Sequence, residues 1–562
     1  MNTLADQPRQ LAEAATASGD HERAFRILVE AARQRKSDAA LWNSAGNAAM
    51  RAGQERPAAE AFAEAARLAP GALEYAINHA IALGRMGRHA AAIDVLAPHE
   101  PAGTRDLRFC SVRAARSLAL GDRGQAARWY DLALALNSTH PRAALGRARV
   151  ALERGEDDAV ARFDAAIAAN PTDPECWLGK AQALEAAGRA DEAAELAGAL
   201  TNQAPQWLDA LKLEAALLLA RGDPDFCRPL SLAVARLPGD PNIPATLCET
   251  LAGMDRYAEA AEVAAAARAR FPEIAEFALL EAQHAGEAGD DARAERIWSE
   301  INMTGARRNL AEARHRLRLR DPAAADRLLG LVLEEEPWNV TGWAMRGLAW
   351  RMLEDSRHEW LHGQGGLVTL LPLRDANAIL PEVVPILHAL HDGSARPLGQ
   401  SLRGGTQTRG GLFDRQEPAL SRLRDAIIGT LEDYRAQLPA RDAPHPLLRH
   451  RDSPWRIAGS WSVRLSGGGD YHTSHIHPQG IVSSALYLEL PPETEGEDER
   501  AGWLEIGRPP ADLRLDLPPF EVIRPEAGHL ALFPSTLFHG TRPFSRSRRM
   551  TVAFDVQARP AQ

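Results

Sequence analysis

The chain has 562 residues, which is more than one hydrophobic core normally organises, so we expect at least two domains or an extended repeat array. With 45% hydrophobic and 25% charged residues, its composition excludes collagen-like, disordered and disulfide-scaffold proteins. The formal net charge of −10 would be repelled by a phosphate backbone, so nucleic acid is not an expected partner.

The sequence carries no signal for export or membrane insertion. No apolar stretch approaches the roughly 20 residues that a membrane span needs. The first residues have neither a basic start nor an apolar run. The cysteines have no Cys-x-x-Cys spacing and are interpreted as buried apolar residues in a reducing compartment: Cys110, Cys176, Cys227 and Cys248. We therefore expect a cytoplasmic protein without a membrane partner.

The N-terminal part of the chain repeats. Glycines recur every 34 residues, and two more follow after a single-residue slip: Gly19, Gly53, Gly87, Gly121, Gly155, Gly188 and Gly222. Alanine stands five residues after several of these markers, as at Ala58, and a bulky residue nine after, as at Phe62. This pattern predicts helical hairpins, because glycine ends the first helix in a left-handed conformation and alanine lets the second helix approach closely. Later markers, at Gly253, Gly289 and a degenerate Arg320, keep the spacing only approximately.

One stretch of the repeat region resembles the tetratricopeptide repeat consensus. It runs from Trp42 to Pro70, and the residues that match are Trp42, Gly46, Ala58, Phe62, Ala65 and Pro70. The resemblance implies an all-α superhelix of about ten helical hairpins over residues 1–355, with a groove that binds an extended peptide or protein segment. The alternative is an alanine-rich helical bundle without superhelical order.

The composition changes near residue 355, where proline and glycine become frequent and the repeats stop. Residues 356–562 are predicted to form a second domain. Its amphipathic helix carries apolar residues at intervals of three and four from Leu420 to Leu438. Short strands are predicted at 456–465, 481–490, 502–507, 518–524, 529–533 and 548–556. This spacing favours an antiparallel sandwich or jelly roll. Its glycine-rich segment 403–412 is a candidate mobile lid.

A loop after the first strand carries candidate metal ligands. In an extended segment, residues two apart project from the same face, so His475 and His477 can converge on one ion, whereas His472 points elsewhere or lies in the loop. Imidazole suits iron, copper, nickel or zinc. His539 is available as a third ligand, on the far strand of a hairpin predicted to begin at 525–528.

An arginine is predicted to lie beside the metal. Arg549 begins the last apolar strand, ten residues after His539. A guanidinium held inside a barrel can bind a dicarboxylate through two parallel hydrogen bonds.

Together these motifs resemble the iron(II)- and 2-oxoglutarate-dependent oxygenases, a superfamily with a double-stranded β-helix fold. The resemblance covers about residues 400–558, and it includes His475-Ile-His477-Pro, the Pro525-x-x-Gly528 turn, Phe533-Pro-Ser, His539 and the Arg549-x-Thr551 pair. It implies that iron(II) is held by the histidines, that 2-oxoglutarate chelates the iron, and that Arg549, assisted by the Thr551 hydroxyl, binds the distant carboxylate. Molecular oxygen is the third reactant, and succinate and carbon dioxide are released.

One ligand departs from the usual pattern of the superfamily, which is His-x-Asp with a distal histidine. His477 occupies the position of the carboxylate. Either His477 is a third nitrogen ligand, which we favour, or two histidines hold the metal and water or substrate completes the site. Tyr487 follows on the next strand and either hydrogen-bonds the cosubstrate or is a core tyrosine.

The sequence therefore predicts a multidomain protein of α and β classes: a tetratricopeptide-type superhelix followed by a double-stranded β-helix (jelly roll) with flanking helices. The first functional hypothesis is a dioxygenase that hydroxylates a peptide or protein recruited by the repeats. One alternative is a non-catalytic scaffold with a degenerate barrel. The other is a cupin-type metal enzyme that does not use 2-oxoglutarate, in which Arg549 would have no task.

Overall fold

The computed structural model describes residues 7–394, 397–491, 499–545 and 547–558. The chain forms two compact units, Met1–Ala183 and Leu184–Gln562. The second unit thus contains later helical hairpins together with the strand-rich part. Within the described residues, no helix has the length and apolar character needed to cross a membrane. The four cysteines are free and buried.

The helical part consists of short antiparallel pairs. The helices of the first unit are α1 Gln7–Ala17, α2 His21–Gln34, α3 Ala39–Arg51, α4 Glu55–Leu68, α5 Leu73–Arg85, α6 His89–Leu96, α7 Glu100–Gly103, α8 Leu107–Ala119, α9 Arg123–Leu136, α10 Pro141–Arg154 and α11 Ala159–Ala169. Helix α12, Pro174–Ala186, runs across the unit boundary. In the second unit follow α13 Ala190–Gln203, α14 Leu208–Ala220, α15 Arg228–Arg236, α16 Asn242–Ala252, α17 Tyr257–Arg270, α18 Ala275–Ala288, α19 Asp291–Glu300, α20 Ala306–Arg318, α21 Pro322–Glu335 and α22 Val340–Met352.

The marker glycines have the predicted conformation. All seven from Gly19 to Gly222 have positive φ, for example +71° at Gly53. The bulky residue of the second helix packs where the first helix has no side chain, since a Cβ on Gly46 would lie 2.5 Å from the Phe62 ring. One marker glycine does not have the expected left-handed conformation. Gly253 is right-handed at φ −62°, and the left-handed residue of this turn is Asp255 (φ 61°). Aspartate tolerates this conformation better than most residues, so the repeat persists without its glycine.

Beyond α22 the chain forms strands and two longer helices. The strands are β1 Thr369–Pro372, β2 Leu402–Arg403, β3 Thr406–Gln407, β4 Trp455–Leu465, β5 Tyr471–His472, β6 Val482–Glu489, β7 Leu504–Ile506, β8 Glu521–Ile523, β9 His529–Pro534, β10 His539–Thr541 and β11 Arg549–Ala558. The helices are α23 Ala376–Asp392 and α24 Pro418–Gln437. All six predicted strands and the predicted amphipathic helix are present. Helix α23 was missed, because Pro381 and Pro385 inside it argue against a helix.

The strands form two principal antiparallel sheets. The major sheet has the order β1-β9-β6-β11-β4-β3, and the minor sheet has the order β10-β7-β8. The predicted hairpin leading to His539 is wrong, because β8 and β10 belong to the minor sheet whereas β9 lies in the major sheet. A chain that alternates between two sheets in this way builds a jelly roll, so the predicted fold class is confirmed.

Alternation along β11 separates the core from the interior of the barrel. Val552, Phe554 and Val556 belong to a buried cluster with residues of α23 and α24, such as Leu387 and Leu420. The residues that alternate with them on β11 are Arg549, Thr551, Ala553 and Asp555, and these face the space between the sheets. The helices therefore cover the outer face of the major sheet and leave its inner face available for a site.

Candidate functional site

A cavity of about 470 Å³ lies inside the barrel. Its lining includes four alternating residues of β11, namely Arg549, Thr551, Ala553 and Asp555. The histidines of the loop after β5 and of β10 complete it from the other side. The cavity thus collects the side chains that period-two alternation directs inward.

Three of the predicted site residues lie close together at this cavity. His475 and His539 pair as an isolated antiparallel bridge, with reciprocal backbone N–H···O distances of 3.0 and 2.9 Å. The Nε2 atoms of His475 and His477 are 3.1 Å apart. The possible ligand atoms of His475, His477 and His539 all lie within 4.8 Å of one another. This arrangement can hold one metal ion.

The second nitrogen of each imidazole faces an acceptor. Nδ1 of His475 donates to the Thr473 carbonyl at 2.8 Å, and Nδ1 of His539 donates to the Leu537 carbonyl at 3.1 Å. His477 Nδ1 donates to the Asp555 carboxylate. These acceptors assign the proton to Nδ1 in each ring, so the Nε2 lone pairs are the ones available to a metal.

Burial keeps the imidazoles of His475 and His539 uncharged. Desolvation, together with the neighbouring His477, lowers the pKa of His475 to about 3. Desolvation also lowers the pKa of His539 well below its usual value. Neutral imidazole is the form that coordinates metals, so protons do not compete with a metal at neutral pH.

The last repeat helices contact the loop that carries His475 and His477. Ile476 lies between two of the histidines in the sequence. Ile476 and Phe538 belong to a packed cluster with residues of α20 and α22, such as Leu317 and Leu348. The backbone that carries the three histidines is therefore packed against the last repeat helices.

Arg549 is buried in the cavity wall without a carboxylate partner. It is 2% exposed, and its Nε atom has no hydrogen-bond partner. Burial lowers its pKa from the usual value, and no acidic side chain of the described residues acts on it. A guanidinium remains charged even when buried. A buried cation without a counterion is costly, so the cavity is suited to an anionic ligand.

Tyr487 and Thr551 flank this arginine. The guanidinium carbon of Arg549 lies 5.3 Å from the centroid of the Tyr487 ring. Tyr487 is fully buried, and its hydroxyl interacts with the Arg549 guanidinium, which opposes the rise in the tyrosine pKa that burial causes. Thr551 is paired with Tyr487 across β11 and β6, and its side chain lines the cavity. The structure thus places a buried hydroxyl and a threonine beside a cation that has no carboxylate partner among the described residues.

Sequence reasoning missed two residues of this site. His472 does not point away: it lines the cavity on β5, and its ring stacks on that of His475 at 5.8 Å. Asp555 was not predicted at all. A signal for Asp555 existed, because an acidic residue in an apolar strand shares the parity of Arg549 and Thr551.

Family comparisons agree with this geometry. Residues 459–555 match the family described as "Putative 2OG-Fe(II) oxygenase", and residues 156–217 match the family described as "Tetratricopeptide repeat". The chain therefore combines tetratricopeptide repeats with a 2OG-Fe(II) oxygenase domain. The matched oxygenase range contains all six predicted site residues. No curated protein matches the chain.

Solved tetratricopeptide structures are similar to parts of the chain. A tetratricopeptide repeat protein from Parabacteroides merdae is 18% identical, covers 43% of this chain and 97% of its own, and has a TM-score of 0.35. Pseudomonas aeruginosa pilF is 20% identical over 38% of this chain and 96% of its own, with a TM-score of 0.33. TTC0263 of Thermus thermophilus is 23% identical over 32% of this chain and 98% of its own, with a TM-score of 0.26. At these TM-scores the likenesses carry no argument about function.

Proposed function

We propose that this protein is an iron(II)- and 2-oxoglutarate-dependent dioxygenase that hydroxylates a peptide or protein recruited by its repeats. The observation that carries the proposal is a single cavity containing three convergent imidazole nitrogens and a buried arginine without a counterion. A metal site alone would not need the arginine. A dicarboxylate cosubstrate explains both features.

In this proposal His475, His477 and His539 hold the iron. Imidazole nitrogens are borderline donors that suit iron(II). They supply no negative charge to the metal. The Asp555 carboxylate, which accepts a hydrogen bond from His477 Nδ1, places a negative charge just outside the ligands. This pairing supports ligation by all three histidines in preference to two.

Arg549, Thr551 and Tyr487 are proposed to bind 2-oxoglutarate. The guanidinium offers a fork of N–H donors that fits a carboxylate. In this proposal the hydroxyls of Tyr487 and Thr551 donate further hydrogen bonds to the same carboxylate. The burial of Tyr487 beside Arg549, and its pairing with Thr551, support this role. When bound, iron and 2-oxoglutarate supply the oxygen-activating chemistry. The chain's own contribution is to hold and orient the cosubstrate.

The decisive experiment measures cosubstrate turnover. Purified full-length protein with iron(II), oxygen and 2-oxoglutarate is expected to form succinate and carbon dioxide, at a rate that rises when a peptide substrate is added. Peptides captured by the repeats would be screened by mass spectrometry for a gain of one oxygen. Failure to consume 2-oxoglutarate with every peptide tried, combined with unchanged 2-oxoglutarate binding in Arg549→Ala, would contradict the proposal. Metal binding without 2-oxoglutarate binding would favour the cupin-type enzyme, and absence of both would favour the scaffold.

We expect Asp555→Asn to weaken metal binding about tenfold, because loss of an outer carboxylate partner typically costs 10- to 100-fold in affinity. Asparagine can still accept the hydrogen bond from His477, so the variant isolates the charge. Cobalt(II) absorption titrations of the protein without 2-oxoglutarate measure the effect. Asp425→Asn is the matched control, since Asp425 lies on α24 with 66% of its side chain exposed. Equal affinities in the two variants would exclude a role for the Asp555 charge.

A further inference from the structure

One wall of the cavity comes from a segment that overlaps the glycine-rich stretch 403–412, the candidate mobile lid. We call residues 398–409 the wall segment. Gly399, Gln400, Ser401 and Gln407 from this segment line the cavity. The segment is not a free loop, because β2 pairs with β5 and β3 pairs with β4. Leu402–Arg403 and Thr406–Gln407 are thus held in strands, and the mobility of 403–412 stays a prediction.

On its inner side the wall segment contacts the histidine loop. Leu402 pairs with His472 in the short β2–β5 ladder. The Thr473 N–H donates to the Ser401 carbonyl at 3.0 Å, and the Ser401 hydroxyl lies 3.3 Å from His472 Nδ1. Thr473 is also the residue whose carbonyl orients His475. Movement of the wall segment would consequently reach a residue that orients a proposed metal ligand.

On its outer side the wall segment is held by repeat helices. Leu398 packs against an apolar cluster from α14 to α17 that includes Leu211 and Leu247. Gly399 meets the end of α16 so closely that a Cβ on Gly253 would lie 2.7 Å from the Gly399 Cα atom. Only glycine allows this approach of two backbones.

Two ion pairs reinforce the attachment. Arg403 donates from Nε and Nη2 to the two carboxylate oxygens of Asp255, at 2.7 and 2.8 Å. Asp255 is the left-handed residue between α16 and α17, and the Tyr257 hydroxyl donates to it at 3.1 Å. Arg409 pairs with Glu185, a buried residue at the end of α12. The repeat turn that carries aspartate in place of the marker glycine is thus one of the two points at which an ion pair holds the wall segment.

We propose that the repeat helices position the wall segment and are a structural part of the catalytic cavity, in addition to recruiting a substrate. The effect on catalysis rests on the proposed function, whereas the positioning of the wall segment by the repeat helices does not. Gly253, Asp255 and Arg403 are positioning residues, because none of them lines the cavity and each acts through Gly399, Gln400 or Ser401.

The first test is Gly253→Ala in the full-length protein. Alanine suits the right-handed backbone at Gly253, so its effect comes from contact with Gly399. Amide hydrogen exchange in residues 398–409 and 471–477 is expected to become about tenfold faster, while exchange in β6 and β11 stays unchanged. Gly198→Ala is the matched control, since a Cβ at that helical glycine would meet only Glu214 Oε1 at 3.5 Å. Unchanged exchange in the wall segment of Gly253→Ala would overturn the proposal.

The second test is a double-mutant cycle of Asp255→Gly and Arg403→Ala. Glycine keeps the left-handed turn at Asp255 while removing the carboxylate. Asp255→Gly is expected to raise exchange in the wall segment about threefold. Arg403→Ala is expected to have a larger effect, because Arg403 also donates to the Gln400 and Leu402 carbonyls. The double variant is expected to match Arg403→Ala, because the contact with Asp255 is already lost in that variant. Additive effects, or no effect, would contradict the proposal. Neither iron nor 2-oxoglutarate is needed, so this outcome is independent of whether the proposed activity is found.

If the proposed function is correct, the same variants have a second readout. Gly253→Ala is expected to change the rate of 2-oxoglutarate consumption, whereas its cobalt(II) affinity stays within about threefold of the wild type, since the three histidines remain. Loss of both cobalt binding and secondary structure would mean that the variant is unfolded, and the Asp255→Gly and Arg403→Ala pair would then decide.

Discussion

Replacing His539 with glutamine is expected to abolish tight metal binding, with a larger loss than the roughly 10- to 100-fold expected for an outer partner such as Asp555. His539 is 6% exposed, and its Nδ1 proton is directed to the Leu537 carbonyl, so its Nε2 is the atom turned to the other histidines. Glutamine approximates the volume of the imidazole and limits the cavity that alanine would leave. The measurement is a cobalt(II) absorption titration. It is followed by anaerobic addition of iron(II) and 2-oxoglutarate, which together are expected to give a metal-to-cosubstrate charge-transfer absorption band when both are bound.

The control for His539 is His529→Gln. His529 begins β9, with 30% of its side chain exposed, and does not line the cavity. The control is expected to bind cobalt and to form the charge-transfer band like the wild type. Wild-type affinity in His539→Gln would exclude this residue as a ligand, and absence of the band in wild-type protein would count against the oxygenase proposal.

Replacing Arg549 with methionine is expected to weaken 2-oxoglutarate binding by about 100-fold or more. A hydrogen bond to a charged group contributes about 1.5–3 kcal/mol, and two of them to a buried carboxylate exceed the 2.7 kcal/mol that corresponds roughly to a factor of 100. Arg549→Lys is expected to recover part of the affinity, since lysine keeps the charge without the fork of donors. Equilibrium titration of cobalt-loaded protein without oxygen measures each affinity.

Two further observations separate the role of Arg549 from a structural one. Without ligand, Arg549→Met is expected to unfold no more easily than the wild type, because the variant removes a buried cation that lacks a counterion. Urea unfolding of the protein without metal measures this. The matched control is Arg548→Met at the exposed neighbouring position, which is expected to leave 2-oxoglutarate binding unchanged. A stability loss of several kcal/mol in Arg549→Met with unchanged cosubstrate affinity would assign the arginine to the fold.

Short-range patterns predicted much of the architecture. The 34-residue spacing of glycines predicted the left-handed turns, because only a few residue types adopt that conformation without strain. The pattern failed at Asp255, where aspartate adopts the same conformation. Short alternating or apolar runs predicted a strand at 548–556 with Arg549 near its start, and the resemblance implied the role of Thr551. Asp555 was not predicted, because its contact with His477 joins two segments that only the tertiary structure brings together.

The sequence by itself determined the type of each part and the chemistry of the cavity: helical hairpins followed by strands, three histidines, and an arginine near the last strand. These follow from residue periods and local conformational preferences, which act within a few residues. Only the tertiary structure decided that β9 and β10 lie in different sheets, that His477 meets Asp555, and that Gly399 and Arg403 are held by Gly253 and Asp255. These contacts join residues 78 to 148 positions apart, and they depend on how whole elements pack. Neither the close approach of Gly253 to Gly399 nor the ion pair of Asp255 with Arg403 produces a periodic pattern in a single sequence.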